Sequence, residues 1–310
     1  MSALRWPFGV LLVLAVGLAS CTDDDARSTD RVDTGSGAGS DTTTTDAGDV
    51  GGGSYELPFG LRAVDGLTAI GRPAVSPSVD PTAPGSVELT AAFRVDADDP
   101  AGAFDAFVGQ LGQSDELRFG DVSVDSSDGD RTDPWLSAGG EGRDYLDLQL
   151  WTTEDRPILL VTVIQRPGDG DAEATTAGGP VDAGDPPASS LAWDERADGD
   201  VLFDEQGTDI HVPVGGRALA PTVPVFCGTG GSFSVLSADD GRAAVDALVA
   251  EAQASSSDGQ TDGPDERDAG GVKVVTADFY IPAGGWSFDV VSVQGPDDGS
   301  ATLYVSSCAD

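Results

Sequence analysis

The chain is short of the side chains from which nucleophilic and metal sites are usually built. Among 310 residues there are one histidine, His211, one lysine, Lys273, and three cysteines, Cys21, Cys227 and Cys308. A Ser-His or Cys-His mechanism would have to run through His211, but its surroundings, TDIHVPV, alternate as a strand does. No G-x-S-x-G elbow is present, and Lys273 has no S-x-x-K partner. Zinc normally needs several Cys or His ligands, which this composition does not supply. DSSDGDRTD from Asp125 and PGDGDAE from Pro167 carry carboxylates without the D-x-D-x-D-G spacing that wraps calcium. We therefore expect no catalytic residue, no metal and no cofactor.

A basic surface is also missing. With 54 acidic against 16 basic residues the net charge is −38, which repels phosphate backbones and makes nucleic acid an unexpected partner. Acids are so abundant that some carboxylate pair must lie at a workable distance for hydrolysis, so an envelope hydrolase of glycans or peptides stays open as an alternative. No pair can be nominated from sequence. Of the tryptophans, Trp151 and Trp286 fall in strand patterns and read as core. Trp135, in the loop TDPWLSAGG, reads as exposed and is the candidate binding residue; Trp193 is the remaining one outside the leader.

Long apolar runs are absent as well. The longest, from Trp6 to Ser20, has 15 residues, whereas a spanning helix needs about 20. It follows Arg5 and ends in small residues, as a secretory leader does. Leu18, Ala19, Ser20 and Cys21 resemble the lipobox of bacterial lipoproteins, and the resemblance covers the leader alone. It implies that the Cys21 thiol carries diacylglycerol and that the leader, residues 1–20, is removed. The expected location is the extracytoplasmic face of the membrane, with the membrane itself a partner through Cys21. Cys227 and Cys308 are then left over, and in an exported chain they read as one disulfide. Closing a loop of about 80 residues would stabilise by roughly 4–5 kcal/mol in the chain-entropy picture.

What is present divides the chain. Residues 21–54 are acidic and nearly free of large apolar side chains, and read as a disordered tether reaching about 30 Å. Residues 167–190, rich in Pro, Gly and Asp, read as a linker between a first module, 55–166, and a second, 191–310. ADDPAGAFDAFVGQ from Ala97 aligns without a gap on ADDGRAAVDALVAE from Ala238. Phe104, Phe107, Val108 and Leu111 recur as Val245, Leu248, Val249 and Ala252, one apolar stripe on each of two helices.

VELTAAFRV and GSFSVLS precede these helices as strands, and alternating segments follow them. The expected fold class is α+β, as two tandem β-α-β-β-β modules. Each would be a mainly antiparallel sheet covered by one helix, the pair arising from internal duplication. SSDGDRTDPWLSAGGEGRD and SSSDGQTDGPDERDAGG read as loop insertions. The expected function is a non-catalytic binding or structural component of the envelope, meeting an envelope protein, a glycan or a small solute. A second alternative is that a cleft between the modules holds such a solute.

Overall fold

The computed structural model describes residues 56–78, 85–127, 134–151, 157–167, 196–205, 207–225, 230–269, 271–281, 285–296 and 299–309. The leader with Cys21, the tether, nearly all of the linker, Trp193 and Cys227 lie outside them.

The first half runs β1 (Leu67–Ala69), β2 (Ala74–Pro77), β3 (Val87–Val95), α1 (Pro100–Leu111), β4 (Phe119–Ser126), β5 (Leu136–Gly142), β6 (Tyr145–Trp151) and β7 (Ile158–Gln165). A hairpin follows, β8 (Val201–Glu205) and β9 (Thr208–His211). The second half runs β10 (Gly216–Ala218), β11 (Val223–Val225), β12 (Gly230–Ala238), α2 (Gly241–Ser255), β13 (Gln260–Ala269), β14 (Val272–Tyr280), β15 (Trp286–Gln294) and β16 (Ala301–Ala309). Two seven-stranded antiparallel sheets result. Their orders are β1-β3-β7-β6-β5-β4, with β2 also on β3, and β10-β12-β16-β15-β14-β13, with β11 also on β12. Strand for strand, the second order repeats the first.

The two helices form where the apolar stripes predicted them. Asp99 and Asp240 are the N-caps, their carboxylates accepting from the N–H groups of Gly102 and Ala243. Phe104, Phe107 and Leu111 of α1 are buried in one cluster with Leu89, Phe93 and Leu148 of the first sheet. Val245, Leu248 and Ala252 of α2 are buried with Phe279, Phe288 and Leu303 of the second. Each such large side chain removed from water is worth roughly 1.5–3 kcal/mol. A third cluster, including Ala92, Trp151 and Leu160 with Val235, Val274, Val293 and Tyr304, joins the opposite faces of the two sheets. The two sheets therefore pack on each other through this cluster, and the described residues belong to one compact unit.

Smaller details recur between the halves. Gly66 and Gly215, both in the left-handed region at φ +84° and +73°, turn the chain into β1 and β10. Gln110, on α1, accepts from the N–H of Arg62 at 2.8 Å; Glu251, which the sequence alignment sets opposite it, accepts from the N–H of His211 at 3.1 Å.

Two expectations are corrected. The segments read as insertions contain β5 and β13, so each helix is followed by four strands, not three. β13 is an edge strand whose side chains are largely exposed, so no face imposes the apolar alternation by which strands are recognised. β5 is rich in glycine, and at Gly142 the backbone is crowded. A Cβ on Gly142 would lie 2.5 Å from the backbone nitrogen of Gly120.

Candidate binding cleft between the sheets

In a strand buried on both faces, alternate residues serve two different cores. In β6, Leu146, Leu148 and Leu150 point to the α1 side, while Asp147, Gln149 and Trp151 occupy the face turned to the other sheet. In β15, Phe288 and Val290 serve the α2 side, while Asp289, Val291 and Val293 face the first sheet. The facing surfaces are apolar at one end, at Trp151, Ile158 and Val274, and become polar along the strands. At the polar end the sheets do not fill the space between them. A cavity of about 240 Å³ remains, lined by Glu88, Asp147, Asp278 and Asp289 together with Leu160, Phe233, Val291 and Tyr304. Among the described residues none of its lining side chains is basic.

Each sheet contributes two carboxyl groups. Asp278 and Asp289 are directly paired across β14 and β15. Their contact lowers Asp278 and raises Asp289, the sense of a hydrogen bond from Asp289 to Asp278. Loss of hydration raises both, Asp289 well above the usual carboxylate range, with the charge of Asp278 and then that of Glu88 adding to it. Glu88 comes from β3 on the opposite sheet and is pushed up to about 7, first by desolvation and then by Asp278, with a hydrogen bond from Thr90 opposing. Asp147 is also raised by burial. It accepts from Gln149 Nε2 at 2.8 Å, and Gln149 Oε1 in turn accepts from the Trp151 indole at 3.1 Å.

Asp144 shows how this protein treats a carboxylate whose task is structural. It is fully buried and accepts from the N–H groups of Arg118 and Arg166 at 2.6 and 2.9 Å and from Arg143 at 2.7 Å. The cleft carboxyls have no such cations among the described residues; burial raises all four, and each is partly exposed. Among the described residues no group of three or more His, Cys, Asp or Glu is placed to hold a metal ion.

The residues singled out from sequence lie elsewhere. Trp135, read there as exposed, is half-buried at the start of β5 and packs against the α1-side core. Trp151 and Trp286 are core, as their alternation indicated. His211 is held by Glu251 through both its backbone N–H and Nδ1. Cys308 lines the cleft rim. Sequence reasoning missed Glu88, Asp147, Asp278 and Asp289. A signal did exist: Asp289 alternates in phase with Val291 and Val293, and Asp147 with Trp151, so those acids stand on a face that also carries core residues.

Among the described residues no helix is long and apolar enough to cross a membrane. Comparison with protein-family models, with curated proteins and with solved structures found no match.

Proposed function

We propose that this protein is a lipid-anchored extracytoplasmic receptor that captures a small solute between its two sheets. The observation that carries the reading is the cavity itself, concave and half apolar, with four carboxyl groups converging on it from two sheets. A few convergent polar groups in an otherwise apolar concavity is the usual composition of a ligand site. At about 240 Å³ it is below the roughly 300–1,000 Å³ of drug-sized sites, so the occupant is small. The lipobox-like LASC supports the anchor, and the acidic stretch after it suits a spacer that anionic lipid repels.

The two halves are read as copies of one ancestral module, a sheet covered by one helix. Support comes from the common strand order, the paired caps Asp99 and Asp240, and the paired latches Gln110 and Glu251. On this reading the cleft is the seam between copies. Cys227 is the proposed partner of Cys308: the chain leaves β11 at Val225 and re-enters at Gly230, and Gly231 lies opposite Cys308.

A hydrolase of glycans or peptides is the second reading, and the glycan form has the less support. Retaining and inverting glycosidases hold their carboxyls about 5 Å or more apart, whereas Asp278 and Asp289 touch through a hydrogen bond.

A thermal-shift screen of the purified chain against a library of small solutes tests the proposal, because a ligand of the native state raises the melting temperature by mass action. Hits lost on Val291→Trp, which fills the cavity, support the site; hits indifferent to it, or none, reject it.

A further inference from the structure

The charge arrangement in the cleft says what kind of solute it takes, given that the cleft is a ligand site. We propose that it binds a small organic cation, an ammonium group on a short apolar body. The ammonium would lie among Glu88, Asp278 and Asp289, and the body against Leu160, Val291 and Phe233.

The facing sheets supply carboxyls and no counter-cation. Glu88 projects from β3, Asp147 from β6, and Asp278 and Asp289 from β14 and β15; Asp262 and Asp265 of β13 add further negative charge beside Asp278. Among the described residues no lysine, arginine or histidine lines the space. An anion would meet uncompensated like charge. A neutral solute would displace water from the carboxylates and give back no charge, which is costly in a half-buried site. A cation supplies the missing partner.

The remaining wall decides between a metal and an organic cation. Divalent metals want about six oxygens at short range, and no such cluster is placed for one among the described residues. Half of this wall is aliphatic or aromatic instead. Phe233 and Tyr304, their ring centres 6.1 Å apart, both line the space.

At Glu88 a proton competes with the ligand's charge, so binding is linked to its release. Below pH 7 Glu88 holds its proton, and an entering ammonium competes with it. Affinity therefore rises with pH. Simple attraction to a highly acidic surface would not behave so around neutrality, where ordinary exposed carboxylates are already ionised.

The test uses the purified full chain with n-butylammonium, and with 1-butanol and butyrate as neutral and anionic isosteres, in high salt to screen surface charge. Melting temperature and titration calorimetry are read at pH 5.5 and 8. We expect binding of n-butylammonium alone, at least tenfold tighter at pH 8. Glu88→Gln and Asp289→Asn should weaken it about tenfold, and Asp246→Asn, on the exposed face of α2, should leave it unchanged. If either cleft variant fails to fold, wild-type calorimetry in two buffers of different ionisation enthalpy decides, because proton release near pH 6 is required. Equal binding by the surface and cleft variants, no proton release, or binding of butanol or butyrate as tight as that of the amine overturns the cation assignment. In the last case the solute-binding reading survives. A blank with all three probes overturns the assignment too, and a blank with the wider library rejects the cleft as a site.

Discussion

Asp278 and Asp289 sit opposite each other on β14 and β15, and their contact lowers the one and raises the other, as a hydrogen bond donated by Asp289 would. An amide can replace a protonated carboxyl as donor. Asp289→Asn should therefore change stability by less than about 1 kcal/mol. Asp289→Ala leaves the Asp278 carboxylate without its donor and should cost roughly 1–3 kcal/mol. Urea titration of both variants at pH 7 checks this, and equal losses would show that the hydrogen bond does not matter.

Glu88 sets a pH dependence. Its value rises from 4.5 to about 7 on folding, so between those limits the folded state binds more protons than the unfolded. Stability from this group is complete below about pH 4.5 and is lost as pH climbs to 7. Glu88→Gln should flatten the fall in melting temperature across that window. An unchanged slope would mean that other groups cause it.

The helix caps are independent of the cleft. Asp99→Ala and Asp240→Ala should each cost about 1 kcal/mol, as N-cap losses do, and the double variant should approach the sum because the caps share no partner. Chemical denaturation measures all three.

Phe107 is fully buried, with its ring 6.1 Å from that of Phe93. Phe107→Ala should cost roughly 3–5 kcal/mol. Val124 on β4 is 47% exposed, and Val124→Ala should stay within about 0.5 kcal/mol. Their ranking by melting temperature tests the packing on the α1 side.

For the anchor, Cys21→Ser in the producing cell should move the protein from the membrane fraction to the soluble one. Retention of lipid label on the serine variant would place the attachment elsewhere.

Much of the scaffold was legible because it rests on apolar periodicity. Phe104, Phe107 and Leu111 mark α1 at helical spacing, and Val245, Leu248 and Ala252 mark α2. The β14 and β15 runs alternate cleanly. β13 could not be read, because an exposed edge strand of QTDGPDERDA carries no apolar signal. The short strands β1, β2, β10 and β11 offer three or four residues each, too few for a period. The cleft acids were hidden by abundance: among 54 acidic residues, Glu88 and Asp289 differ only in the phase of their neighbours. Recognising that both faces of their strands are buried requires knowing that the sheets pack on each other. That is a relation between residues more than 100 positions apart.

β16 occupies an interior place, hydrogen-bonded to β12 on one side and β15 on the other. The first half has all its strands once Gln165 has been made, whereas the second lacks a central one until residues 301–309 arrive. A nascent chain therefore carries a finished half beside a split one, with two unpaired edges through its middle. A truncation of only ten residues should thus leave the first sheet formed and the second open to pairing with other chains.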